Sequence, residues 1–209
     1  MLPREYLTVN RPAEAEIVIK RSRFIGQVSP ASCVEEAEAF IAAVRARHPD
    51  ANHHVPAYAV GLEVETQRAS DDGEPSGTAG RPALEVIKKS ELRNTALVVT
   101  RYFGGILLGA GGLLRAYGQA ASAAIATAGP RRFVLHQQVL VAVAYPLFGK
   151  VQKEVERLGY AIEGVDYLDK VTVKVAVPVE AAAGFKERMI DLTAARAYVS
   201  DGPAKFCDT

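Results

Sequence analysis

Cysteine is scarce in this sequence, because only Cys33 and Cys207 occur among 209 residues and they lie far apart. Their scarcity argues against a disulfide framework and against a zinc site built on cysteine. No apolar run approaches the roughly 18–20 residues that cross a bilayer. The N-terminus, Met-Leu-Pro-Arg-Glu-Tyr, lacks the basic region and apolar stretch of a secretory signal. These absences predict a cytoplasmic protein without a membrane segment.

Net charge is also small. The chain carries +1 at pH 7, with +2 on residues 1–135 and −1 on residues 136–209. A strong binder of the phosphate backbone carries a clear basic excess, so any contact with RNA must use a local patch. Hydrophobic residues make up 49% of the chain, which is enough for a sizeable core.

The hydrophobic pattern predicts an α+β protein of two domains. Strands are expected over 13–20, 22–28, 55–64 and 95–100, and helices over 34–48, 82–89 and 112–128. Ser32 and Glu35 have capping-box spacing at the start of the first helix. The continuous apolar run over 95–100 indicates a strand buried on both faces, and the alanines of the third helix indicate close packing on what lies beneath.

A Gly-Pro boundary over 129–132 separates these elements from a second unit. One domain is expected at 1–132 and the other at 136–209. The second unit contains strands over 139–143, 160–166, 170–177 and 195–200, with helices after the first and third of them. This βαββαβ order is that of the split ferredoxin-like fold.

The densest polar cluster lies in the segment Ser70–Pro82. Asp71, Asp72 and Glu74 could hold a hard cation or accept protons in catalysis. They could equally cap and solvate a tight Asp-Gly turn, which is the favoured interpretation over metal binding. The calcium-loop pattern fails here, because Pro75 and Ser76 occupy positions that need an oxygen ligand and a glycine.

A second glycine-rich segment, Arg101–Gly112, leaves a buried strand and enters a helix. Its backbone amides could face an anion at the helix start, or the glycines could serve only a turn. A P-loop is excluded because Ala110 and Gly111 replace its lysine and hydroxyl residue. A dinucleotide fingerprint is excluded because Leu114 stands where glycine or alanine is needed.

Histidine and arginine side chains complete the candidate site. His48, His53 and His54 have no zinc-like spacing, so a polar role at a strand edge is favoured over ligation, with His53 or His54 still able to act as a donor or proton shuttle. Arginines near these loops could bind phosphate with a planar fork. They could also pair with the loop acids, which is the favoured interpretation; they are Arg21, Arg23, Arg81, Arg101 and Arg115.

Several of these segments together resemble the IMPACT family, specifically its bacterial YigZ branch. They are Lys20-Arg-Ser-Arg-Phe-Ile25, Asp50-Ala-Asn-His-His54, Ser70-Asp-Asp-Gly-Glu-Pro-Ser-Gly-Thr-Ala-Gly80, Val99-Thr-Arg-Tyr-Phe-Gly-Gly105 and Gly109-Ala-Gly-Gly-Leu113. The match covers about residues 14–130, and the second unit is similar to the C-terminal domain of that branch. One departure follows His54: Val55 stands where the family pattern has cysteine, which excludes a thiol role there.

The resemblance implies a fold and a field of action. The first domain would have the ribosomal protein S5 domain-2-like fold and the second a ferredoxin-like fold, a pair similar to the last two domains of elongation factor G. Eukaryotic IMPACT proteins regulate translation under amino-acid stress by competing for an activator of a kinase that phosphorylates an initiation factor. Partner binding there involves an additional N-terminal domain not found in this sequence, so that mechanism is not carried over.

Three functions follow for the paired glycine-bearing segments. The first is a translation-linked binding protein that contacts RNA, the ribosome or a translation factor, with no cofactor or metal. The second is an enzyme acting on a small phosphorylated or acyl substrate, with Asp72 or Glu74 as base and Arg101 or Arg115 stabilising charge. The third is a protein–protein scaffold anchored by Tyr102 and Phe103, although core packing at the strand end is the favoured interpretation of these two rings.

The first function is preferred. Its predicted binding surface comprises Arg21, Arg23, His53, His54, Asp71, Asp72, Glu74, Ser76, Thr78, Arg81, Arg101, Tyr102, Phe103, Gly104, Gly105, Gly109, Gly111, Gly112 and Arg115.

Overall fold

The computed structural model of the protein describes residues 2–208. The chain divides into two compact units, Met1–Arg132 and Phe133–Thr209. Its elements, in chain order, are β1 (Glu5–Val9), β2 (Ala13–Ile19), β3 (Ser22–Pro30), α1 (Val34–Arg47), β4 (His53–Val60), β5 (Thr66–Ala69), α2 (Gly80–Lys89), β6 (Thr95–Tyr102), α3 (Ala110–Ala128), β7 (Pro130–Val143), α4 (Tyr145–Leu158), β8 (Ala161–Tyr167), β9 (Val171–Pro178), α5 (Ala182–Leu192) and β10 (Tyr198–Asp208). No helix within 2–208 has both the length and the apolar character needed to span a membrane.

The first unit is built on a five-stranded sheet in the order β2-β3-β6-β4-β5. Every neighbouring pair in it is antiparallel. Helices α2 and α3 cover one face, where Leu97 and Val99 of β6 point, and α1 covers the other, where Ala96 and Val98 point. The prediction that β6 is buried on both faces is therefore confirmed, since Thr95 to Arg101 are all buried.

Helix α3 lies unusually close to the sheet. A Cβ atom added to Gly26 of β3 would lie 2.3 Å from the carbonyl oxygen of Ala120. Only glycine on the strand and small residues on the helix permit this approach, and Ala116, Ala120 and Ala124 are fully buried there. The close packing expected from the alanines is confirmed, and it fixes where the first turn of α3 lies.

The second unit has the βαββαβ order β7-α4-β8-β9-α5-β10. Its strands are arranged as β10-β7-β9-β8 and all pair antiparallel. Valines of β7 and β9 form its core with residues of α4 and α5, including Val155, Phe185 and Met189. The protein is thus an α+β chain with an S5 domain-2-like unit followed by a ferredoxin-like unit.

Several expected boundaries are wrong. Strand β4 ends at Val60 rather than 64, because Gly61 turns the chain with a φ of +92°. The last strand is Tyr198–Asp208 rather than 195–200, since it pairs along β7 almost to the end of the chain. Strands β1 and β5 were not expected at all.

One capping contact and two helix starts also differ from expectation. Helix α1 begins at Val34, and the backbone amide and hydroxyl of Ser32 both donate to Glu36, at 2.7 and 2.9 Å, rather than to Glu35. Helix α2 begins at Gly80 instead of Pro82. Helix α3 begins at Ala110 instead of residue 112, so that Gly111 and Gly112 belong to its first turn.

Candidate functional site

Asp71 closes the loop that leads into α2. Its carboxylate accepts hydrogen bonds from the backbone amides of Gly77 at 2.7 Å, Ala79 at 3.0 Å and Gly80 at 2.9 Å. Burial acts to raise the pKa of this carboxyl group, but the three amides outweigh it together and hold the pKa below its usual value. The side chain therefore stabilises the start of a helix and the loop before it.

Asp72 ties the same loop to α1 and β4. Its carboxylate accepts a hydrogen bond from Nη2 of Arg45 at 2.8 Å and another from the backbone amide of His54 at 2.7 Å. Nδ1 of His53 lies 2.8 Å from the carbonyl oxygen of Asp72, which can only accept, so this ring nitrogen carries a proton. Asp72 adopts a left-handed conformation with a φ of +47°, which these contacts hold in place.

Glu74 enters the interior of the first unit and is 8% exposed. Its Oε1 accepts hydrogen bonds from Nη1 of Arg101 at 2.6 Å and from the hydroxyl of Tyr117 at 2.7 Å. Nε2 of His53 lies 3.8 Å from the same oxygen. Burial, followed by the bond to Glu74, raises the pKa of Tyr117 well above its usual range, so the phenol remains a donor.

Arg101 is the last residue but one of β6 and is only 5% exposed. Beyond its bond to Glu74 it donates from Nη2 to the hydroxyl of Ser22 at 3.3 Å. Its guanidinium lies 5.3 Å from the ring centre of Phe24 and 5.4 Å from that of Phe103. Within residues 2–208 its Nε has no hydrogen-bond partner. The Nε–H group of this buried guanidinium therefore lacks an acceptor among the described residues.

The second glycine-rich segment passes directly over β3. A Cβ atom at Gly104 would lie 2.1 Å from the carbonyl carbon of Arg21, so no other residue fits without moving the backbone. Asn52 anchors the segment from below, because its amide donates to the carbonyl of Arg101 at 3.0 Å and its Oδ1 accepts from the amide of Phe103 at 2.8 Å. The segment then projects outward until α3 begins.

These contacts enclose a cleft of about 410 Å³ at the start of α3, which we call the α3 cleft. Its polar lining comes from Asn52, His53, Glu74 and Arg101, and its apolar lining from Pro75, Phe103, Leu107, Leu108 and Leu113, with Gly109 and Ala110 at the helix start. Phe103 is 45% exposed and Leu107 82% exposed. Five of the eleven lining residues are therefore apolar side chains, and two of these, Phe103 and Leu107, are exposed to solvent.

The predicted site residues fall into three groups. Those that line the α3 cleft are His53, Glu74, Arg101, Phe103 and Gly109. Those that hold the surrounding loops are His54, Asp71, Asp72, Thr78, Tyr102 and Gly104. Those on the exposed or partly exposed surface, outside the cleft lining, are Arg21, Arg23, Ser76, Arg81, Gly105, Gly111, Gly112 and Arg115.

Three expectations about individual residues need correction. Core packing of Phe103 is wrong, because β6 ends at Tyr102 and the ring stays almost half exposed. The pairing of arginines with the loop acids holds for Arg101 but not for Arg23, which binds Glu16 at 2.9 Å on the surface. Glu74 and Arg101 were expected on an accessible surface, and both are buried because they neutralise each other.

The histidines join the end of α1 to β4 and β6 by hydrogen bonding. Nε2 of His54 donates to the carbonyl of His48 at 2.9 Å, and Nδ1 of His48 lies 3.0 Å from the hydroxyl of Tyr102. Burial is the main cause that lowers the pKa of His48. No group of three or more His, Cys, Asp or Glu side chains that could hold a metal ion is found within residues 2–208.

Sequence reasoning missed several residues of the site. Leu107 and Leu108 form an apolar pair between glycines, just before a helix. An apolar pair in a glycine-rich loop is unusual, and it could have indicated that these side chains belong to the site. Tyr117 was placed only in the buried stripe of α3. Arg45 offered no signal, because nothing in the sequence of an exposed helix face indicates that it reaches Asp72.

Both units match known protein families. Residues 20–125 match the Impact N-terminal domain, and residues 141–196 match a domain of unknown function, DUF1949. The chain belongs to the IMPACT family. The IMPACT family member YvyE of Bacillus subtilis is 39% identical over 203 residues, which cover 97% of this chain and 94% of YvyE. The IMPACT family member YigZ of Escherichia coli is 37% identical over 177 residues, 84% of this chain and 87% of YigZ.

More distant IMPACT proteins and a solved structure extend the comparison. Protein IMPACT of Rattus norvegicus is 31% identical over 100 residues, which are 46% of this chain but only 31% of that protein. A solved structure titled "Crystal structure of an hypothetical protein" aligns with a TM-score of 0.63 at 34% identity, covering 95% of this chain and 97% of its own. The likeness to these bacterial IMPACT family members thus spans both units.

Proposed function

We propose that this IMPACT-family chain is a translation-linked binding protein that contacts RNA, the ribosome or a translation factor and catalyses no reaction itself. The binding surface consists of the α3 cleft and of the apolar loop beside it, which we define as Phe103, Ile106 and Leu107. The resemblance to eukaryotic IMPACT proteins that regulate translation supports the biological setting. The engagement of the loop acids supports a binding role.

The acids that would serve an enzyme are committed to intramolecular contacts. Asp71 accepts three backbone amides, Asp72 accepts Arg45 and an amide, and Glu74 accepts a buried arginine and a tyrosine. A general base needs a lone pair directed at the substrate proton. Taking up a proton would neutralise the charge with which Asp72 and Glu74 hold Arg45 and Arg101, so the binding function is favoured over the enzymatic one.

The apolar loop indicates a protein component of the partner. Phe103, Ile106 and Leu107 are 45%, 39% and 82% exposed. Neighbouring exposed apolar side chains mark interaction sites with other proteins or membranes, whereas an RNA backbone offers them nothing to bury. Exposed arginines near the loops, such as Arg81 and Arg115, could still add contacts to phosphate.

Sedimentation with ribosomal particles tests this proposal. The protein should sediment with particles at low salt, and Leu107→Ser should weaken that binding about tenfold, the loss of roughly 1.4 kcal/mol expected for an interface anchor. Val64→Ser is the matched control, because Val64 is 81% exposed on another loop of the same unit while Leu107 is 82% exposed.

The salt dependence then separates the kinds of partner. Contacts to RNA phosphates should weaken steeply as salt rises, because binding releases counterions, whereas an apolar protein contact should persist. Absence of sedimentation at every ionic strength, or equal effects of Leu107→Ser and Val64→Ser, would contradict the proposal.

A further inference from the structure

Helix α3 opens into the α3 cleft without a cap. The residue before it is Gly109, which has no side chain, and its first turn contains no acid. Leu113 is the first residue whose amide bonds back along the chain, to the carbonyl of Gly109 at 2.9 Å. Within residues 2–208, the amides of Ala110, Gly111 and Gly112 therefore have no hydrogen-bond acceptor. Ala110 lines the α3 cleft, and Gly111 and Gly112 follow it in the same turn on the surface beside the cleft. The positive end of a 19-residue helix therefore lies at the rim of the cleft.

Arg101 provides a second and independent observation in the same cleft. It lines the cleft and is 5% exposed, yet its Nε has no hydrogen-bond partner in the described chain. A buried unsatisfied donor normally costs free energy, so its presence in the lining that also contains Ala110 points to an acceptor supplied from outside. The two observations come from different elements, β6 and α3, and they point to a bound anion.

The charge of the cleft limits which anion fits. Arg101 and Glu74 cancel each other at 2.6 Å, which leaves the helix terminus, equivalent to roughly half a positive charge. That suits a single negative charge. A phosphate dianion would be repelled by the carboxylate of Glu74 without a second free cation to compensate. A phosphodiester and a carboxylate each carry a single charge, so the apolar part of the lining has to decide between them.

The apolar part of the lining favours a carboxylate that carries an apolar group. Phe103, Leu107, Leu108 and Leu113 belong to that part, and the volume of about 410 Å³ lies within the range of small-ligand sites. We infer that the α3 cleft binds a carboxylate that bears an apolar group, as at the end of a peptide whose last residue is leucine or phenylalanine. The inference deepens the proposed function and rests on it, since it names the chemistry that the binding surface recognises.

A titration of the purified full-length chain tests the site. The probe is the peptide N-acetyl-Gly-Gly-Leu with a free carboxylate. Followed by NMR, its addition should shift the backbone amide resonances of Gly111 and Gly112. The same peptide with a C-terminal amide should bind about tenfold more weakly or worse, because a hydrogen bond to a charged group is lost. Inorganic phosphate should cause no comparable shift. Equal binding by acid and amide, or no binding by either at millimolar concentration, overturns the inference.

A second titration distinguishes two sources of the carboxylate, a peptide C-terminus and a small carboxylic acid. The small acid 4-methylpentanoate has the leucine side chain and the carboxylate but no peptide backbone. Weaker binding than the peptide assigns the cleft to a chain terminus, and equally tight binding assigns it to a small carboxylic acid. Both results support recognition of a carboxylate with an apolar group, and they separate its two origins.

A matched pair of variants at Gly111 removes doubt about folding. A Cβ atom there meets nothing within 4 Å, so both aspartate and asparagine fit. Gly111→Asp places a negative charge in the first turn of α3, at the rim of the cleft, where it would repel a bound anion. It should abolish binding while keeping or raising the melting temperature, because an acid suits a helix start. Gly111→Asn should bind within about threefold of the parent, since it adds the same bulk without charge. Equal affinities of these two variants overturn the site.

The titration uses no ribosomal particles, so a negative result removes the carboxylate site alone. Failure of sedimentation, with the titration positive, removes only the link to translation.

Discussion

Replacing Glu74 by glutamine isolates the charge of the buried pair at the centre of the site. The side chains of Arg101 and Glu74 are 6% and 3% exposed, and their nitrogen and oxygen lie 2.6 Å apart. Glutamine keeps the shape and retains an oxygen that can accept from Tyr117. What it removes is the negative charge opposite the guanidinium, which then remains buried with no counter-charge in contact.

The expected loss of stability is large. Removing one partner of a buried ion pair costs about 3–5 kcal/mol, because the other charge stays desolvated. The value for Glu74→Gln should lie near the lower end, about 3 kcal/mol, since the amide oxygen still accepts one hydrogen bond. Glu16→Gln is the matched control. The pair Arg23–Glu16 has side chains 51% and 40% exposed, and such pairs contribute about 0–1 kcal/mol.

Hydrogen exchange at core amides of the first unit measures both variants. Val98 and Val99 of β6 are fully buried, so their amides should exchange only when the unit opens, and exchange reports its free energy of unfolding. The second unit does not contribute to this readout. If Glu74→Gln lowered that free energy no more than Glu16→Gln, the argument from an uncompensated buried charge would be refuted, and with it the view that Glu74 is structural.

Two predictions concern pH. Burial and then Glu74 raise the pKa of Tyr117 above its ordinary 10.0, so the folded state favours the neutral phenol. The first unit should therefore lose stability as pH rises above 10.0. In Tyr117→Phe, the melting temperature should fall less steeply over the same pH range. In the second unit, Arg157 and then Arg188 lower the pKa of Glu154 from 4.5 to about 2. Its stabilisation is complete above pH 4.5 and is lost as pH falls toward about 2, so Glu154→Gln should flatten the acid dependence of the melting temperature in that range, and an unchanged slope would contradict this assignment.

The core elements of both units could be predicted because their patterns are simple. Val171, Val173, Val175 and Val177 alternate strictly, and they are all buried in β9. Strand β5 could not be predicted in the same way. It contains Thr66, Gln67, Arg68 and Ala69 at the edge of the sheet, and none of its side chains is fully buried. An edge strand is defined by its backbone pairing with β4, which leaves little trace in side-chain hydrophobicity.

The sequence also allowed the prediction that the two glycine-bearing segments lie against each other, and the ion pair between Arg101 and Glu74 joins them. The partners of the remaining acids could not be predicted. Asp72 binds Arg45, which lies 27 positions earlier on an exposed face of α1, and only the packing of α1 on the sheet brings the two together. The exposure of Phe103 could not be predicted either, because its sequence neighbours do not indicate that the chain leaves the sheet after Tyr102.

The first glycine-bearing segment uses its side chains for contacts within the protein, and the second leaves backbone amides without an acceptor in the described residues. In the first, Asp71 and Asp72 consume their hydrogen-bonding capacity within the loop. In the second, the amides around Gly111 have no acceptor within residues 2–208. An alanine scan of the acids would therefore mislead, because Asp72→Ala releases two anchors of the loop and would imitate the loss of a catalytic group. Substitutions that change charge at an open backbone position, such as Gly111→Asp against Gly111→Asn, distinguish recognition from folding, since the acids hold the loop and the start of α3 is the position at which we propose that the ligand binds.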